Sequence, residues 1–474
     1  MKTKVYLLIV VTLSMFSTSM LGQVVKHPRL LSFEKKQSLE LISANKSKVS
    51  ISDAHYKDGL KSLKWEFKPN AELSILKDLN FEPKDSTGTD TYLSSFVVWV
   101  YNESPIDDQI VFKFFKDDKL CSSFPMKLNF RGWRSAYLSY ERDMEGIPEV
   151  GMNCIKVNAP DSSGTLYFDM LLTAALVDHR HHTPDIQLPF VNASSSNHWL
   201  ALYSTSLIQP DLPLQNSVSI AQKEEIFEIE NRLRQLLYTS SKLTNKQLHK
   251  LRESYAWYEI TRKNDRVKGR PLFYVRASEA FERLFPGTWN ANLYVDQGIE
   301  LREYFNLMSD IAIAYLNAEN PIDKKELRLM FINMYDHAAD QGVAYGSAMG
   351  IFTHFGYSFR KFFTSYFLMK DVLAEEGRLE DASKALLWYS MANEVFTVPL
   401  DPDMDIDTFN TLAVGRISSI LAMPEGPEKV RYLKSYSRWI NNGCLPAKGL
   451  DDSFKSDGSV YHHKIITQPM VWEG

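Results

Sequence analysis

The stretch PIDKKELRLMFINMYDHAADQG, residues 321–342, decides the fold class of the second half of this 474-residue chain. Its apolar side chains recur three and four positions apart, at Leu327, Met330, Phe331, Met334, Tyr335 and Ala338. That spacing is typical of a helix with one apolar face. Pro321 suits the first helical turn and Gly342 suits a C-terminus, so the stretch predicts a single amphipathic helix.

The same helical period continues on both sides of this stretch, from about residue 216 onward. A second apolar face comprises Phe359, Phe362, Phe363, Tyr366 and Phe367. A third comprises Leu412, Ala413, Ile417 and Ile420. Successive amphipathic helices with short loops predict helical hairpins that either pack in layers or close into a toroid, and the period alone does not choose between them.

From about residue 24 to residue 178 the apolar period is two. Apolar residues alternate with polar ones at Leu63, Trp65 and Phe67, at Ile110, Phe112 and Phe114, and at Met126, Leu128 and Phe130. Short strands of this kind predict an antiparallel β-sandwich, with a jelly roll as the expected form. The Pro-, His- and Asn-rich residues 179–215 break both periods and predict a linker or lining loop.

The N-terminus indicates an exported protein, and the overall charge argues against a nucleic-acid partner. Residues 1–22 have early lysines, an apolar run and small residues near the end, which predicts a secretory signal peptide. No later segment approaches the 18 apolar residues expected of a membrane helix. The chain has 54 basic and 58 acidic residues without a long basic run, so general attraction to nucleic acid is not expected.

The cysteines and histidines do not form a recognisable metal motif. Cys121, Cys154 and Cys444 are widely separated, so they exclude a disulfide framework; a single Cys121–Cys154 bridge and buried thiols remain alternatives. A group of histidines lies in and beside the predicted linker, at His179, His181, His182 and His198. No acidic or cysteine partner has ligand spacing there, so no metal site is predicted.

Polar residues at predicted helix starts are the best candidates for a binding site. His354, Tyr357 and Arg360 fall within seven residues at the start of one helix. Helix N-termini favour anions, and an arginine fork can hold a carboxylate or sulfate. Asn410 lies inside another predicted helix, where it is placed to face a cleft.

Near the C-terminus, Tyr461, His462 and His463 follow the turn formed by residues 456–459. Histidine titrates near neutral pH and tyrosine does so only when its surroundings lower its pKa, so these side chains are candidates for acid and base chemistry.

Several segments, taken together in this order, resemble the chondroitin sulfate ABC lyase family. They are SSFVVWVYNESPID (94–107), GWRSAYLS (132–139), DQGVAYGSAMGIFTHFGYSFR (340–360), LLWYS (386–390), DIDTFNTL (405–412) and GLDDSFKSDGSVYHH (449–463). The resemblance covers most of the chain after residue 22 and is more specific than any one motif.

The resemblance implies a periplasmic enzyme that cuts chondroitin sulfate and dermatan sulfate by β-elimination. It implies a jelly-roll domain over residues 23–178 and an incomplete α/α toroid, the catalytic domain, over residues 216–474. By position, the catalytic histidine of the family falls on His463. The substrate-binding residues fall on His354, Tyr357, Arg360, Asn410 and His462. A monomer is expected, with no membrane partner and no required cofactor, although a calcium or magnesium ion is an option.

The chain departs from the family pattern after His463, because no tyrosine follows where the family has a catalytic one. Read one frame over, the codons of residues 464–474 are compatible with Asn-Tyr-His-Pro-Ala-Tyr-Gly-Met-Gly, which resembles the family stretch. We therefore expect a frameshift that truncates the catalytic domain and reduces or abolishes activity; a naturally divergent or wrongly called C-terminus is the alternative. The alternative function is a non-catalytic glycosaminoglycan-binding protein.

Overall fold

The first half of the chain forms one antiparallel sheet, and the second half is mainly helical. This order confirms the predicted change from β to helical structure. A computed structural model describes residues 30–57, 59–83, 92–178, 198–238, 240–273, 299–349, 355–397, 406–462 and 466–467.

Within the described residues, ten strands make up the large sheet. They are β1 (Leu30–Leu31), β2 (Ile42–Ser52), β3 (Ser62–Leu76), β4 (Tyr92–Asn102), β5 (Gln109–Lys116), β6 (Lys119–Lys127), β7 (Gly132–Ser139), β8 (Glu145–Gly146), β9 (Cys154–Asn158) and β10 (Gly164–Asp178). Their order is β7-β4-β10-β3-β9-β5-β6-β8, with β1 paired to β10 and β2 paired to β3. The alternating residues noted in the sequence are buried, as their period predicts.

The sheet curls so that its two ends face each other. Three strands separate β4 from β5 in the sheet order, yet the ring of Phe96 on β4 lies 5.7 Å from that of Phe112 and 5.0 Å from that of Phe114 on β5. Such contacts between distant strands are possible only if the inner faces oppose each other across one core. The jelly-roll topology itself stays a prediction.

Strand β3 makes the corner of this curl. Residues 63–67 pair with β10, and residues 72–76 pair with β9. The exposed residues between these two halves include Asn70, which has a φ of 58°. A left-handed residue bends a strand and allows it to pass from one sheet layer to the other.

The helices follow in chain order. They are α1 (His198–Ser206), α2 (Ile220–Leu237), α3 (Asn245–Trp257), α4 (Leu301–Asn317), α5 (Pro321–Asp340), α6 (Phe355–Leu368), α7 (Lys370–Glu375), α8 (Leu379–Tyr389), α9 (Ile406–Leu421) and α10 (Pro427–Gly443). Small sheets join them: β11 (Thr261–Lys263) with β12 (Arg266–Lys268), β13 (Leu272–Phe273) with β14 (Ile299–Glu300), and β15 (Ser453–Phe454) with β16 (Val460–His462) and β17 (Ile466–Thr467). Short 3₁₀ helices span Lys36–Leu41 and Ala392–Phe396. Among the described residues, no helix is both long and apolar enough to cross a membrane.

The predicted amphipathic helices are confirmed. The helix predicted over residues 321–342 is α5, where the Asn320 side chain accepts a hydrogen bond from the backbone of Ile322 and Pro321 occupies the first turn. Its six predicted apolar residues are buried, as are the five aromatic residues of α6. The local period was enough to predict these faces because each must pack against neighbouring helices. Closure into a toroid stays a prediction.

Two features differ from the expectations. Strands β3 and β10 each run for 15 residues, so they are long rather than short. The predicted linker contains helix α1, whose Leu202 is buried in the same apolar core as the later helices. This helix was missed because it is short and follows a Pro- and Asn-rich stretch.

The three cysteines are free thiols in the described structure, so the Cys121–Cys154 bridge is not formed. Cys121 and Cys154 are buried, on strands β6 and β9, which both pair with β5 and so lie on opposite sides of it. The sequence left open a disulfide bridge or buried thiols, and the structure shows buried thiols at Cys121 and Cys154.

Strand β4 is buried on both faces and joins the two halves of the molecule. Phe96, Val98 and Val100 point into the core of the curled sheet, whereas Val97 and Trp99 belong to the core built by the helices. A continuous apolar run is typical of a strand that is covered on both sides. Strand β4 therefore contributes side chains both to the core of the sheet and to the core built by the helices.

Three glycines allow the segment after α5 to lie directly against the edge of this sheet. Gly132, Gly342 and Gly346 all have positive φ. A Cβ atom at Gly342 would lie 2.3 Å from the carbonyl oxygen of Trp133, and one at Gly346 would lie 2.6 Å from that of Asn129. Only glycine fits such a close approach in this conformation. The segment held in this way, residues 342–349, is the one that continues toward the predicted site residue His354.

Candidate functional site

Two predicted binding residues meet where α6 and α9 lie side by side. The Nη2 atom of Arg360 donates hydrogen bonds to the backbone oxygen of Asn410, at 3.1 Å, and to its side-chain oxygen, at 3.3 Å. Both side chains are partly exposed. Among the described residues, these are the hydrogen bonds that the Arg360 side chain donates, and both come from Nη2.

Small residues allow the two helices to approach each other here. A Cβ atom at Gly356 of α6 would lie 2.3 Å from the hydroxyl of Thr411 on α9. Further along, a Cβ atom at Gly415 would lie 2.6 Å from the ring of Phe363. The contact near the start of α6 involves an earlier residue of α9 than the contact further along α6 does. The two helices therefore run in the same direction. Their N-termini therefore lie at the same end, where both favour an anion.

Tyr357 lies one turn before Arg360 on α6, at a spacing that puts the two side chains on neighbouring positions of one helix face. Its side chain is 38% exposed, which is high for a tyrosine. The structure therefore brings together Tyr357, Arg360 and Asn410 as a polar group that can donate hydrogen bonds to a carboxylate or sulfate.

The remaining predicted residues are described only in part. His354 and His463 lie outside the described residues, and only the backbone of His462 is described, as the last residue of β16. The small sheet that carries it is tied to the end of α10 by the hydroxyl of Ser453, which donates to the carbonyl of Gly443 at 3.0 Å.

Helix α10 runs antiparallel to α9, because Phe409 contacts Trp439 while the hydroxyl of Tyr436 donates to the carbonyl of Ala413. The end of α10 therefore lies beside the start of α9. The topology carries His462 to the same end of the helices as Asn410.

The described residues do not offer a site for the optional divalent cation. Within them, no group of three or more His, Cys, Asp or Glu side chains is arranged to hold a metal ion. The histidines of the predicted linker lie outside the described residues, apart from the backbone of His198. The calcium or magnesium ion thus stays a prediction without supporting geometry.

The structure also contains a buried polar cluster that sequence reasoning missed. It lies between the sheet and the helices, in the connection from β2 to β3. The Nδ1 atom of His55 lies 3.1 Å from Asp340 at the end of α5, and its Nε2 atom lies 3.0 Å from Glu103. The imidazole stacks on the ring of Tyr101, with 3.6 Å between centroids.

Lys57 is the most deeply buried member of this cluster, with 0% of its surface exposed. Its Nζ atom donates to the carbonyl of Leu272 at 2.6 Å, the carbonyl of Gln341 at 3.1 Å and the side-chain oxygen of Gln341 at 3.0 Å. It also lies 4.4 Å from the centroid of the Trp99 ring. One side chain from the connection between β2 and β3 therefore fixes both the end of α5 and the start of β13.

The charge of Lys57 follows from its partners. Burial lowers its pKa well below the ordinary value, and the carboxylates of Asp340 and Asp169 oppose that shift. The three Nζ bonds given above end on oxygen acceptors, and only an ammonium group has three N–H donors. We therefore assign the charged form.

No sequence signal identifies this cluster. His55 and Lys57 lie in a polar turn, where charged side chains are usually solvated. The partners of Lys57 are 215 and 284 residues away along the chain. A sequence pattern that depends on local spacing cannot detect contacts at such separations.

The His55 group makes stability depend on pH. Burial lowers the pKa of His55, but its bonds to Asp340 and Glu103 outweigh burial and raise the pKa above 6.5. Because this pKa is higher in the folded protein than in the unfolded chain, protonation of His55 stabilises the fold. The contribution is fully present below about pH 6.5, the pKa in the unfolded chain, and is lost as pH rises through the pKa in the folded protein. The pKa of Asp340 is lowered despite burial, because His55 bonds to it, so its contribution is lost at acid pH instead.

Substitution of His55 by glutamine is expected to lower the free energy of unfolding by about 1–3 kcal/mol near pH 6, because two carboxylates lose a charged partner. The difference from the native protein is expected to shrink as pH rises, since the native protein loses the imidazolium there. Urea unfolding at a series of pH values tests this. A difference that stays constant between pH 6 and pH 9 would show that the imidazolium does not stabilise the fold.

Comparison with known proteins gives consistent matches to lyases. The family model described as "Lyase, N terminal" matches residues 27–190, and the one described as "Lyase, catalytic" matches residues 212–467, more than half of the chain. These two matches divide the chain near the end of β10, where the sheet ends.

Three relatives align over most of the chain. A chondroitin sulfate ABC exolyase of Bacteroides thetaiotaomicron is 51% identical over 445 residues, which are 94% of this chain and 44% of that protein. A chondroitin sulfate ABC exolyase of Proteus vulgaris is 29% identical, over 91% of this chain and 44% of that protein. The corresponding endolyase of Proteus vulgaris is 26% identical, over 91% and 45%. The chain thus spans less than half the length of these relatives.

Proposed function

We propose that this chain, which belongs to the chondroitin sulfate ABC lyase family, acts on chondroitin sulfate and dermatan sulfate by β-elimination at the uronic acid. The observation that carries the proposal is the meeting of Arg360 and Asn410 beside Tyr357, at the common N-terminal end of α6 and α9. Such a group suits the carboxylate of a uronate or the sulfate of its neighbour.

The chemistry explains why a group of this kind is needed. In β-elimination a base removes the proton from C5 of the uronate, and negative charge develops on the carboxylate carried by that carbon. The bond between C4 and its leaving oxygen then breaks, an acid protonates that oxygen, and a double bond forms between C4 and C5. Hydrogen-bond donors such as Arg360 and Asn410 stabilise the developing charge, which is worth roughly 10²–10³ in rate for one donor.

We assign proton transfer to His463, on the family resemblance, with His354 and His462 completing the substrate-binding group. Support for His462 comes from the small sheet that contains β16, which is tied to the end of α10 and so lies at the same end of the helices as Asn410. A positioned proton transfer contributes roughly 10²–10⁴ in rate.

A second candidate function is glycosaminoglycan binding without cutting. One observation favours it: Tyr357, Arg360 and Asn410 form a group of hydrogen-bond donors, and such a group can bind an anion without any chemical step. Retention of the glycan without any unsaturated product would select this function.

The proposal extends to architecture and location. We infer that the curled sheet is a jelly roll of the carbohydrate-binding kind and that the helices are part of an α/α toroid. The apolar N-terminal run supports export to the periplasm or beyond. We also infer that the protein acts as a monomer.

Substitution of Arg360 by alanine is expected to slow the formation of the unsaturated uronate, followed by its ultraviolet absorbance, by about 10²–10³. The neighbouring Lys361 is exposed and provides a matched control, because K361M removes a charge one position away and should change the rate less than about threefold. Equal, measurable rates for R360A and the native chain would contradict the proposed site.

A further inference from the structure

A cavity of about 200 Å³ lies on the outer side of helix α8. It is bounded by α1, the segment of residues 342–349, α8, the 3₁₀ helix and α10. Its lining includes Thr205, Tyr345, Lys384, Trp388, Asn393 and Tyr432. Its size suits a single ring rather than a longer ligand.

The cavity is separate from the candidate site. One face of α8 packs toward the site: Tyr389 stacks on Phe359 of α6 at 4.9 Å, and the carbonyl of Leu386 accepts a hydrogen bond from Ser419 of α9. Lys384 and Trp388 lie four residues apart on the opposite face. Helix α8 therefore stands between the cavity and the group formed by Tyr357, Arg360 and Asn410.

One wall of the cavity is aromatic and rigid. Tyr345 is 45% exposed, and its ring meets that of Trp388 at a centroid distance of 5.2 Å. The indole N–H of Trp388 donates to the carbonyl of Ser347 at 2.8 Å, which ties this wall to the segment that carries Tyr345. Gly346, next to Tyr345, makes the close approach to the sheet described above. An exposed ring on a fixed backbone loses little entropy when it binds a ligand.

The facing wall is also fixed. The hydroxyl of Tyr432 donates to the side-chain oxygen of Asn393 at 2.6 Å. The side-chain nitrogen of Asn393 donates in turn to the carbonyls of Ser206, at 3.0 Å, and Ile208, at 3.2 Å. These bonds hold α1, the 3₁₀ helix and α10 together, so the cavity is formed before any ligand binds.

Lys384 supplies a charge at the rim. It is half exposed, and its ion-pair partner among the described residues is Glu380 on the same helix, at 2.7 Å; Glu380 is itself 78% exposed. A surface pair of this kind contributes little free energy, so the ammonium can turn to an anionic ligand at low cost. A rigid aromatic wall next to one cation matches the chemistry of an acidic sugar, which has an apolar C–H face and a carboxylate or sulfate at its edge.

We propose that this cavity is an accessory site that binds one acidic sugar ring of a glycosaminoglycan, stacked on the exposed ring of Tyr345 beside Trp388 and paired with Lys384. The proposal rests on the proposed function for the class of ligand. It adds a second point of attachment, on the far side of α8 from the candidate active site.

The test uses the full chain in which Arg360 and Asn410 are both replaced by alanine, titrated calorimetrically with a chondroitin sulfate hexasaccharide. We expect this variant to retain measurable affinity, because the accessory site is intact. Adding Y345A is expected to weaken binding about tenfold, whereas Y345F keeps the ring and should bind normally. Adding K384M is expected to weaken binding about fivefold and to reduce its dependence on salt, whereas K325M, an exposed lysine on α5, serves as the control.

The outcomes separate this proposal from the proposed function. If the R360A/N410A variant loses all binding, the accessory site is wrong and the candidate active site accounts for the whole affinity. If the variant binds but Y345A and K384M change its affinity less than about twofold, the ligand attaches elsewhere and the accessory site is again wrong. If the native chain does not bind the hexasaccharide at all, both proposals fail. Matching unfolding midpoints of the variants exclude loss of the fold as the cause.

Discussion

Substitution of Lys57 by methionine is expected to lower the free energy of unfolding by about 3–5 kcal/mol. Methionine keeps the length of the side chain but has no donors. The carbonyls of Leu272 and Gln341 then lose their partner inside the interface between sheet and helices, and the buried carboxylate of Asp169 loses a nearby positive charge. Breaking a buried charged group by removing one member is costly because the others remain buried.

Urea unfolding measures this loss, with K325M as the matched control. Lys325 is exposed on α5, so its substitution is expected to stay within about 0.5 kcal/mol of the native value. A loss below about 1 kcal/mol for K57M would mean that water or movement of the side chains satisfies the abandoned groups, and that Lys57 does not hold the two halves together.

Substitution of Gly342 by alanine is expected to cost about 2–6 kcal/mol, from a strained backbone together with an overlap of atoms. Its φ is 110°, and the added Cβ atom would lie 2.3 Å from the carbonyl oxygen of Trp133 and 3.0 Å from the sulfur of Met349. A backbone oxygen in a sheet cannot move away as the end of a flexible side chain can. The segment would therefore separate from β7.

Gly377 separates the two contributions. It also has a positive φ, of 69°, but a Cβ atom there would have no neighbour within 4 Å. Substitution of Gly377 by alanine should lower the free energy of unfolding by about 1–2 kcal/mol, which is the cost of the backbone conformation alone. If G342A and G377A cost the same, the close approach of the segment to β7 would not be important for stability.

The helices and strands could be predicted because their signals are local. The apolar period of α5 and the alternation in β5 depend on residues a few positions apart, and each such face has to be buried. The corner in β3 could not be predicted in this way. It depends on β10 and β9 pairing with different parts of one strand, and Asn70 is its only local sign.

The candidate site was predicted in part for the same reason. Tyr357 and Arg360 belong to one helix start, so their proximity is a local property. Their meeting with Asn410 depends on how α6 packs on α9, and it was expected from the family resemblance rather than from spacing. The cluster around Lys57 had neither kind of signal, since its partners come from distant parts of the chain and its own residues look like a solvated turn.

The double burial of strand β4 has a consequence for biosynthesis. Residues of the sheet leave the ribosome well before the helices that cover Val97 and Trp99. One face of the newly made sheet therefore stays exposed to solvent until residues of α4 and α5 have been synthesised. During this interval the nascent chain exposes an aromatic surface to which other apolar segments can bind. If the N-terminal sheet were fused to another protein without the helices, this aromatic surface would stay exposed. The sheet is therefore not expected to behave as an independent domain.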